Sequence, residues 1–199
     1  MISEAHQRAT EPGRSVRMSG DARREQILAA ARRVFAEGGF SATTDEVARA
    51  ADVSQPYVVR LFGSKRDLFL EAYQQAADRV VSTLTLAARE DDPKDAMGRA
   101  YLELIEDRDL LRLLMHGFIA SADEQVGRAA RHCLGEAYRL YVEATGATPD
   151  EARQFVAFGM LLNVLVATDA ESHPGEDPGM DGLLECVALT AHRAAAGGA

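Results

Sequence analysis

Between Ser54 and Phe62 the chain interleaves three polar side chains, Gln55, Tyr57 and Arg60, with the apolar Val58, Leu61 and Phe62. At helical spacing the apolar residues turn inward and the polar ones are left facing out. The outward set has chemistry suited to base edges. A glutamine amide can pair with adenine and an arginine guanidinium with guanine, and Tyr57 or Pro56 can touch a thymine methyl. Thr43, Thr44, Ser54 and Lys65 fall where helices should start. Hydroxyls, an ammonium and unpaired first-turn amides suit phosphate oxygens, which position a protein on a duplex without reading its sequence. Thr43, Ser54 and Ser64 are equally explained as helix caps, and the two roles can coexist.

Other chemistries find less support. His132 and Cys133 are adjacent, so one helix face cannot offer both to a metal, and no further ligand cluster lies near them. Nothing close to Cys186 in sequence would lower its pKa. There is no G-x-S-x-G, no Walker loop and no H-E-x-x-H. The expectation is a protein with no catalytic residues, no metal and no cofactor. Two cysteines cannot build a disulfide framework and fit a reduced, cytoplasmic compartment.

The elements that must position these residues follow from composition and pattern. A chain of 199 residues has room for one or two domains. Its 47% hydrophobic and 27% charged residues are an ordinary globular mixture, and its wealth of Ala, Leu and Arg leans towards an all-α fold. The net charge of −9 argues at first against nucleic acid. Residues 1–66, however, hold 11 Lys/Arg against 8 Asp/Glu, a net of +3, whereas residues 67–199 hold 11 against 23, a net of −12. A basic head on an acidic body can meet phosphates with one end only. The N-terminus has no apolar signal region. The longest apolar stretch, Phe155 to Ala167, is about 13 residues, includes Asn163, and is too short to span a membrane.

Residues 1–18 read as a disordered basic tail, able to reach along DNA as an arm. A first helix is expected to start after Ser19 and run to about Glu37, buried through Ile27, Leu28, Ala31, Val34 and Phe35 and stopped by Gly38 and Gly39. Thr43 and Glu46 have capping-box spacing and open a short second helix ending near Ala51, where Asp52 can take a left-handed turn. Ser54 should cap the third helix, Gln55 to Phe62, and Ser64 with Asp67 should open a long one to about Ala88. Asp92-Pro93 and Thr148-Pro149 are cap-plus-proline starts. Between and after them lie helices expected over 107–121, 123–145 and 149–170, then a loop from Glu171 to Gly179 and a last helix over 180–196, about nine in all.

Three short helices followed by a long one, with the second and third joined by a tight turn, form a helix-turn-helix arrangement. The stretch Arg24 to Phe69 resembles the N-terminal domain of TetR-family transcriptional regulators. The resemblance is carried by Ile27-Leu28-Ala29-Ala30-Ala31, Phe35-Ala36-Glu37-Gly38-Gly39-Phe40, Thr43-Thr44, Val47-Ala48, Val53-Ser54-Gln55-Pro56, Phe62-Gly63-Ser64-Lys65 and Leu68. There are three departures. The loop between Gly39 and Val47 is about one residue short of the family pattern, Asp52 stands where Gly is usual, and Val59 replaces a Tyr that commonly meets phosphate.

The resemblance implies a helix-turn-helix DNA-binding domain over 19–66, with a connecting helix running to about residue 80, and a helical ligand-binding and dimerisation domain over 67–199. It places Gln55, Pro56, Tyr57 and Arg60 on the recognition helix. It implies a homodimer on a palindromic double-stranded DNA operator and a small-molecule effector, with no membrane partner. The expected activity is a repressor released by its ligand. Alternatives are an activator, a regulator without ligand, or a helical ligand-binding protein or enzyme with a vestigial head. Tyr101, Met115, His116, Phe118, Phe158 and Asn163 are candidates for the effector pocket, although plain core packing also explains such residues. Phe155, Leu161, Leu162 and Leu165, with Leu183 and Val187, are the candidate dimer interface, because the helix from Pro149 is apolar nearly all round.

Overall fold

Ser19 opens the first helix by accepting a hydrogen bond from the Ala22 amide, so a single hydroxyl satisfies one of the first-turn donors. The computed structural model describes residues 19–185. The arm expected over 1–18, Cys186, Val187 and the end of the last helix lie outside the described residues.

Eight helices are complete: α1 (Gly20–Gly38), α2 (Thr44–Ala50), α3 (Gln55–Phe62), α4 (Lys65–Ala87), α5 (Pro93–Leu104), α6 (Arg108–Ile119), α7 (Glu124–Thr145) and α8 (Pro149–Ala167). A further helix occupies 178–185, and no strand occurs among the described residues. It begins two residues earlier than expected. Asp177 accepts from the Gly179 and Met180 amides, and Pro178 follows it, so the cap-plus-proline signal occurs a third time inside what reads as a loop. α8 stops at Ala167, three residues short of the expected end near Ala170, and a 3₁₀ turn over Ala170–Ser172 opens the expected loop.

α1, α2 and α3 pack into a head around Ile27, Leu28, Ala31, Phe35, Val47 and Val58, all but fully buried. α4 leaves this head and enters the body, packing on α5, α6 and α7 as well as on α1. Its stripe Leu68, Phe69, Ala72, Tyr73, Ala76, Val80 and Leu84 is buried from end to end, as a period of 3.6 requires. The aromatic rings are continuous along this route. Phe69 meets Phe35 and Phe40 edge-on at 5.1 Å each and stacks on Tyr73 at 6.3 Å.

Ion pairs tie head to body at three points. Arg24 of α1 forms a two-pronged bridge to Glu71 of α4, reaches the Leu61 carbonyl at 3.2 Å and lies over the Phe62 ring at 4.4 Å. Asp107 caps α6 and also receives Arg32 of α1 at 3.3 Å and Arg79 of α4 at 2.5 Å. Arg66 approaches Asp123 at the start of α7 at 3.9 Å. The exposed members of these pairs contribute little stability each, but they fix orientation.

Candidate nucleic-acid interface and effector cavity

The turn between α2 and α3 depends on Asp52, which adopts φ +52°, as expected of a residue that tolerates the left-handed region. The Val53 amide then returns to the Ala48 carbonyl at 3.0 Å, and α3 starts two residues later. α3 buries Val58 and Phe62 and leaves Pro56, Val59 and Arg60 exposed. Tyr57 is half-buried, with the Arg60 guanidinium over its ring at 5.1 Å. Gln55 is half-buried too and donates to the Thr44 hydroxyl at 3.2 Å. The edge offered to solvent is therefore Ser54, Pro56, Val59 and Arg60, with Gln55 and Tyr57 set back along it. Val59, which its apolar side chain does not mark as outward in the periodicity, lies on this edge at the position where the resemblance has a Tyr.

The phosphate candidates divide by what already occupies them. Thr43 closes a complete capping box: its hydroxyl accepts from the Glu46 amide at 3.2 Å, and Glu46 accepts from the Thr43 amide at 2.7 Å and hydroxyl at 2.8 Å. Those bonds, with Arg49 adding, hold the Glu46 carboxyl below its ordinary pKa. Ser64 caps α4 by accepting from the Asp67 amide at 3.1 Å. Ser54 does not cap, contrary to expectation. The second residue of α3 is Pro56, which has no N–H, and the Tyr57 amide is taken by the Ser54 carbonyl at 3.0 Å. The exposed Ser54 hydroxyl is left unspent among the described residues. Lys65 donates to the Phe40 carbonyl at 2.6 Å and lies 4.8 Å from the centre of that ring, so it ties the start of α4 to the turn after α1. An ammonium has three protons, which leaves donors for a phosphate.

In the body, an inner cavity of about 50 Å³ is walled by residues from α4 to α8, among them Val80, Tyr101, Phe118, Cys133, Phe155 and Asn163. It meets an outer pocket of about 420 Å³ through shared walls at Tyr101, Phe155 and Gly159. Phe158 lines the outer pocket. Tyr101 donates to Asn163 Oδ1 at 2.8 Å, and burial pushes its hydroxyl up to about 12 against the relief of that bond. Burial, with Asp78 adding, pushes the Cys133 thiol up to about 11.

Four of the six pocket candidates thus come together, and two do not. Met115 and His116 face a separate surface pocket beside Ala36, Glu37 and Arg112. His116 Nε2 donates to the Ala36 carbonyl at 3.2 Å, and its ring packs on Gly39, where a Cβ would come within 2.6 Å of Nδ1. His116 therefore latches α6 to the end of α1 rather than facing the cavity. Phe118 lies one turn after Leu114 and lines the cavity with it, while Met115 and His116 line the other pocket.

The interface candidates need correction. Leu162 and Leu165 are only 2% and 4% exposed within a single chain, covered as α8 packs on α6 and α7. Phe155 stacks on Tyr141 at 4.2 Å and lines the cavity. The face α8 leaves open is Ala157, half-buried Leu161 and Val164, the last 40% exposed, and Leu183 of 178–185 is exposed as well. Val187 lies outside the described residues. Apolar residues all round α8 concealed which side the protomer itself uses.

Residues 27–72 match the family model of the bacterial regulatory proteins of the TetR family. Over 157 residues the chain is 31% identical to the HTH-type transcriptional activator FasR of Mycolicibacterium smegmatis, covering 74% of this chain and 71% of FasR. The chain belongs to the TetR family of transcriptional regulators. It is thus a DNA-binding regulator, and its fold is that of the family. A transcriptional regulator from Pseudomonas aeruginosa superposes with a TM-score of 0.64 at 22% identity, over 90% of this chain and 93% of its own. The multidrug-binding protein EbrR, in complex with proflavin, superposes with a TM-score of 0.53 at 23% identity, over 82% of this chain and 98% of EbrR. Among the described residues no helix is long and apolar enough to cross a membrane, and no cluster of His, Cys, Asp and Glu is arranged to hold a metal ion.

Proposed function

We propose that this TetR-family regulator binds a palindromic operator as a homodimer and is released from it by a small molecule held in the body. In this reading the head is residues 19–66, with the start of the connecting helix to about residue 80, and residues 67–199 form the ligand-binding and dimerisation domain. Arg60 and Gln55 read bases, Pro56 and Tyr57 contact thymine methyls, and Ser54, Thr44, Thr43 and Lys65 meet phosphates. The observation that carries the reading is the exposed edge of α3, with Arg60 at its end and the Ser54 hydroxyl unspent at its start. A dimer places two such edges in successive major grooves, which offsets the small positive surplus of each head. An operator-binding protein of a bacterium works in the cytoplasm.

The cavity in the body supports an effector, and the proflavin complex of EbrR is an example of one in this fold. Ligand binding can release DNA only by favouring a conformer with the recognition helices at another separation. Repression follows where the operator overlaps a promoter. Activation is the second reading, favoured by the relative that is named an activator. The relatives' role in transcription favours a regulator over an enzyme with a vestigial head.

The experiment is a mobility shift with DNA flanking the protein's own gene, across a range of salt. A retarded band that survives competition by random DNA is the expected result. Equal affinity for random and flanking DNA would count against the operator reading, and no retardation at low salt would end the DNA-binding account.

A further inference from the structure

Among the described residues Asn163 is the one buried side chain of the amide, acidic or basic kind, at 4% exposure. Its carbonyl oxygen accepts from Tyr101 at 2.8 Å. Its amide nitrogen has only the Met160 sulfur, at 3.8 Å. A thioether is a weak acceptor, whereas buried donors normally have a strong one. The cavity therefore contains a hydrogen-bond donor with almost nothing to bind.

The rest of the cavity sets the other requirements. Its remaining walls are apolar, such as Val80, Leu84, Leu114 and Val156, and no charged side chain lines it. The Tyr101 hydroxyl and the Cys133 thiol are both held protonated well above neutral pH by burial. An ion of either sign would lose its hydration there and gain no counter-charge. The way in is the throat at Gly159, where an added Cβ would stand 3.2 Å from Tyr101 Cε1. Beyond it the outer pocket adds the rings of Phe158 and Tyr141, and it alone of the two carries charged side chains, Asp92, Lys94 and Asp95.

We propose that the effector is an uncharged, lipophilic molecule with one carbonyl oxygen, which the Asn163 amide recognises inside the apolar cavity. The cavity as it stands is small, so such a ligand spreads α5 and α8 apart as it enters past Gly159. The inference rests on the reading that the body holds an effector, and it supplies that effector's chemistry.

The test is calorimetry without DNA, so that its outcome does not depend on operator binding. Four probes of similar size are titrated: butyrophenone, butylbenzene, phenylbutanoate and phenylbutylammonium. Butyrophenone should bind about tenfold more tightly than butylbenzene, as one added hydrogen bond allows, and neither ion should compete. Asn163→Leu should bring the ketone down to the hydrocarbon, while Tyr101→Phe, which leaves the amide donor in place, should keep the preference. The proposal is overturned if either ion binds as well as the ketone, if ketone and hydrocarbon bind alike, if Asn163→Leu retains the preference, or if no probe binds. A failure in any of these ways leaves the mobility shift on DNA untouched, and a failed mobility shift leaves these affinities standing.

Discussion

The ring of Tyr73 packs against the backbone of Gly117, so that a Cβ built at 117 would stand 2.0 Å from Tyr73 Cε2. Tyr73 belongs to α4, which enters the head, and Gly117 to α6, whose neighbours Leu114 and Phe118 line the cavity. Tyr73 is fully buried and its hydroxyl has no partner among the described residues, so nothing but packing sets its position. Gly117→Ala must push the ring aside, and overpacking of this kind costs roughly 1–3 kcal/mol. The denaturation midpoint should fall accordingly. Gly135→Ala is the control: it is exposed, with nothing within 4 Å of its added Cβ. It should be neutral or stabilising by up to about 1 kcal/mol, since alanine favours a helix over glycine. Equal losses in the two variants would show that the Tyr73 contact carries no strain.

Arg60 and Lys65 should differ in kind on DNA. Arg60 ends an exposed edge and stacks only on Tyr57, so it is free to reach a base. Arg60→Ala is expected to cost roughly 1–3 kcal/mol on the operator and to relax preference at one position. An equal loss on random DNA would make it a phosphate contact instead. Lys65→Ala should weaken binding to all sequences and flatten the dependence on salt. Because Lys65 also holds the Phe40 carbonyl, the same variant should lower the unfolding midpoint. An unchanged salt slope would reject the phosphate role.

The head was legible in the sequence because its signals are local. Capping boxes, glycine stops and a period of 3.6 act within a few residues, and Thr43 and Ser64 both cap as their spacing implies. Ser54 is the instructive exception, since the proline that permits the helix start also removes the amide its hydroxyl needed. The body was legible as helices but not as a site. Which face of α8 a protomer uses for itself depends on α6 and α7, and no periodicity carries that when every face is apolar. The Arg32–Asp107–Arg79 bridge and the His116 latch join residues far apart in the chain and left no sequence trace.

The head also has a defined acid response. Glu46 is held below its ordinary pKa by the bonds from Thr43, so its folded value lies under its unfolded one. The stability it contributes is complete above the unfolded carboxylate range and is lost as pH falls through the folded value. Glu46→Gln keeps the capping geometry but removes the titration. The helical circular dichroism of the wild type should therefore fall earlier on acidification, relative to its own neutral baseline, than that of the variant. Superimposable acid limbs would place the titrating group elsewhere.

Dimerisation separates cleanly from folding only at residues the protomer leaves open. Leu165 is buried within one chain, so a charge there leaves an unpaired ion in the core and should unfold the protein. Val164 is one residue earlier and 40% exposed, flanked on the same open face by Ala157 and Leu161. Val164→Glu therefore costs the isolated protomer little, yet it sets two carboxylates against each other if α8 packs on its own copy. Sedimentation should find a folded monomer with unchanged helical content, and affinity for a palindrome should drop towards that for a half-site. If the variant stays dimeric, the open face of α8 is not where two copies meet, and the exposed Leu183 stretch becomes the better candidate.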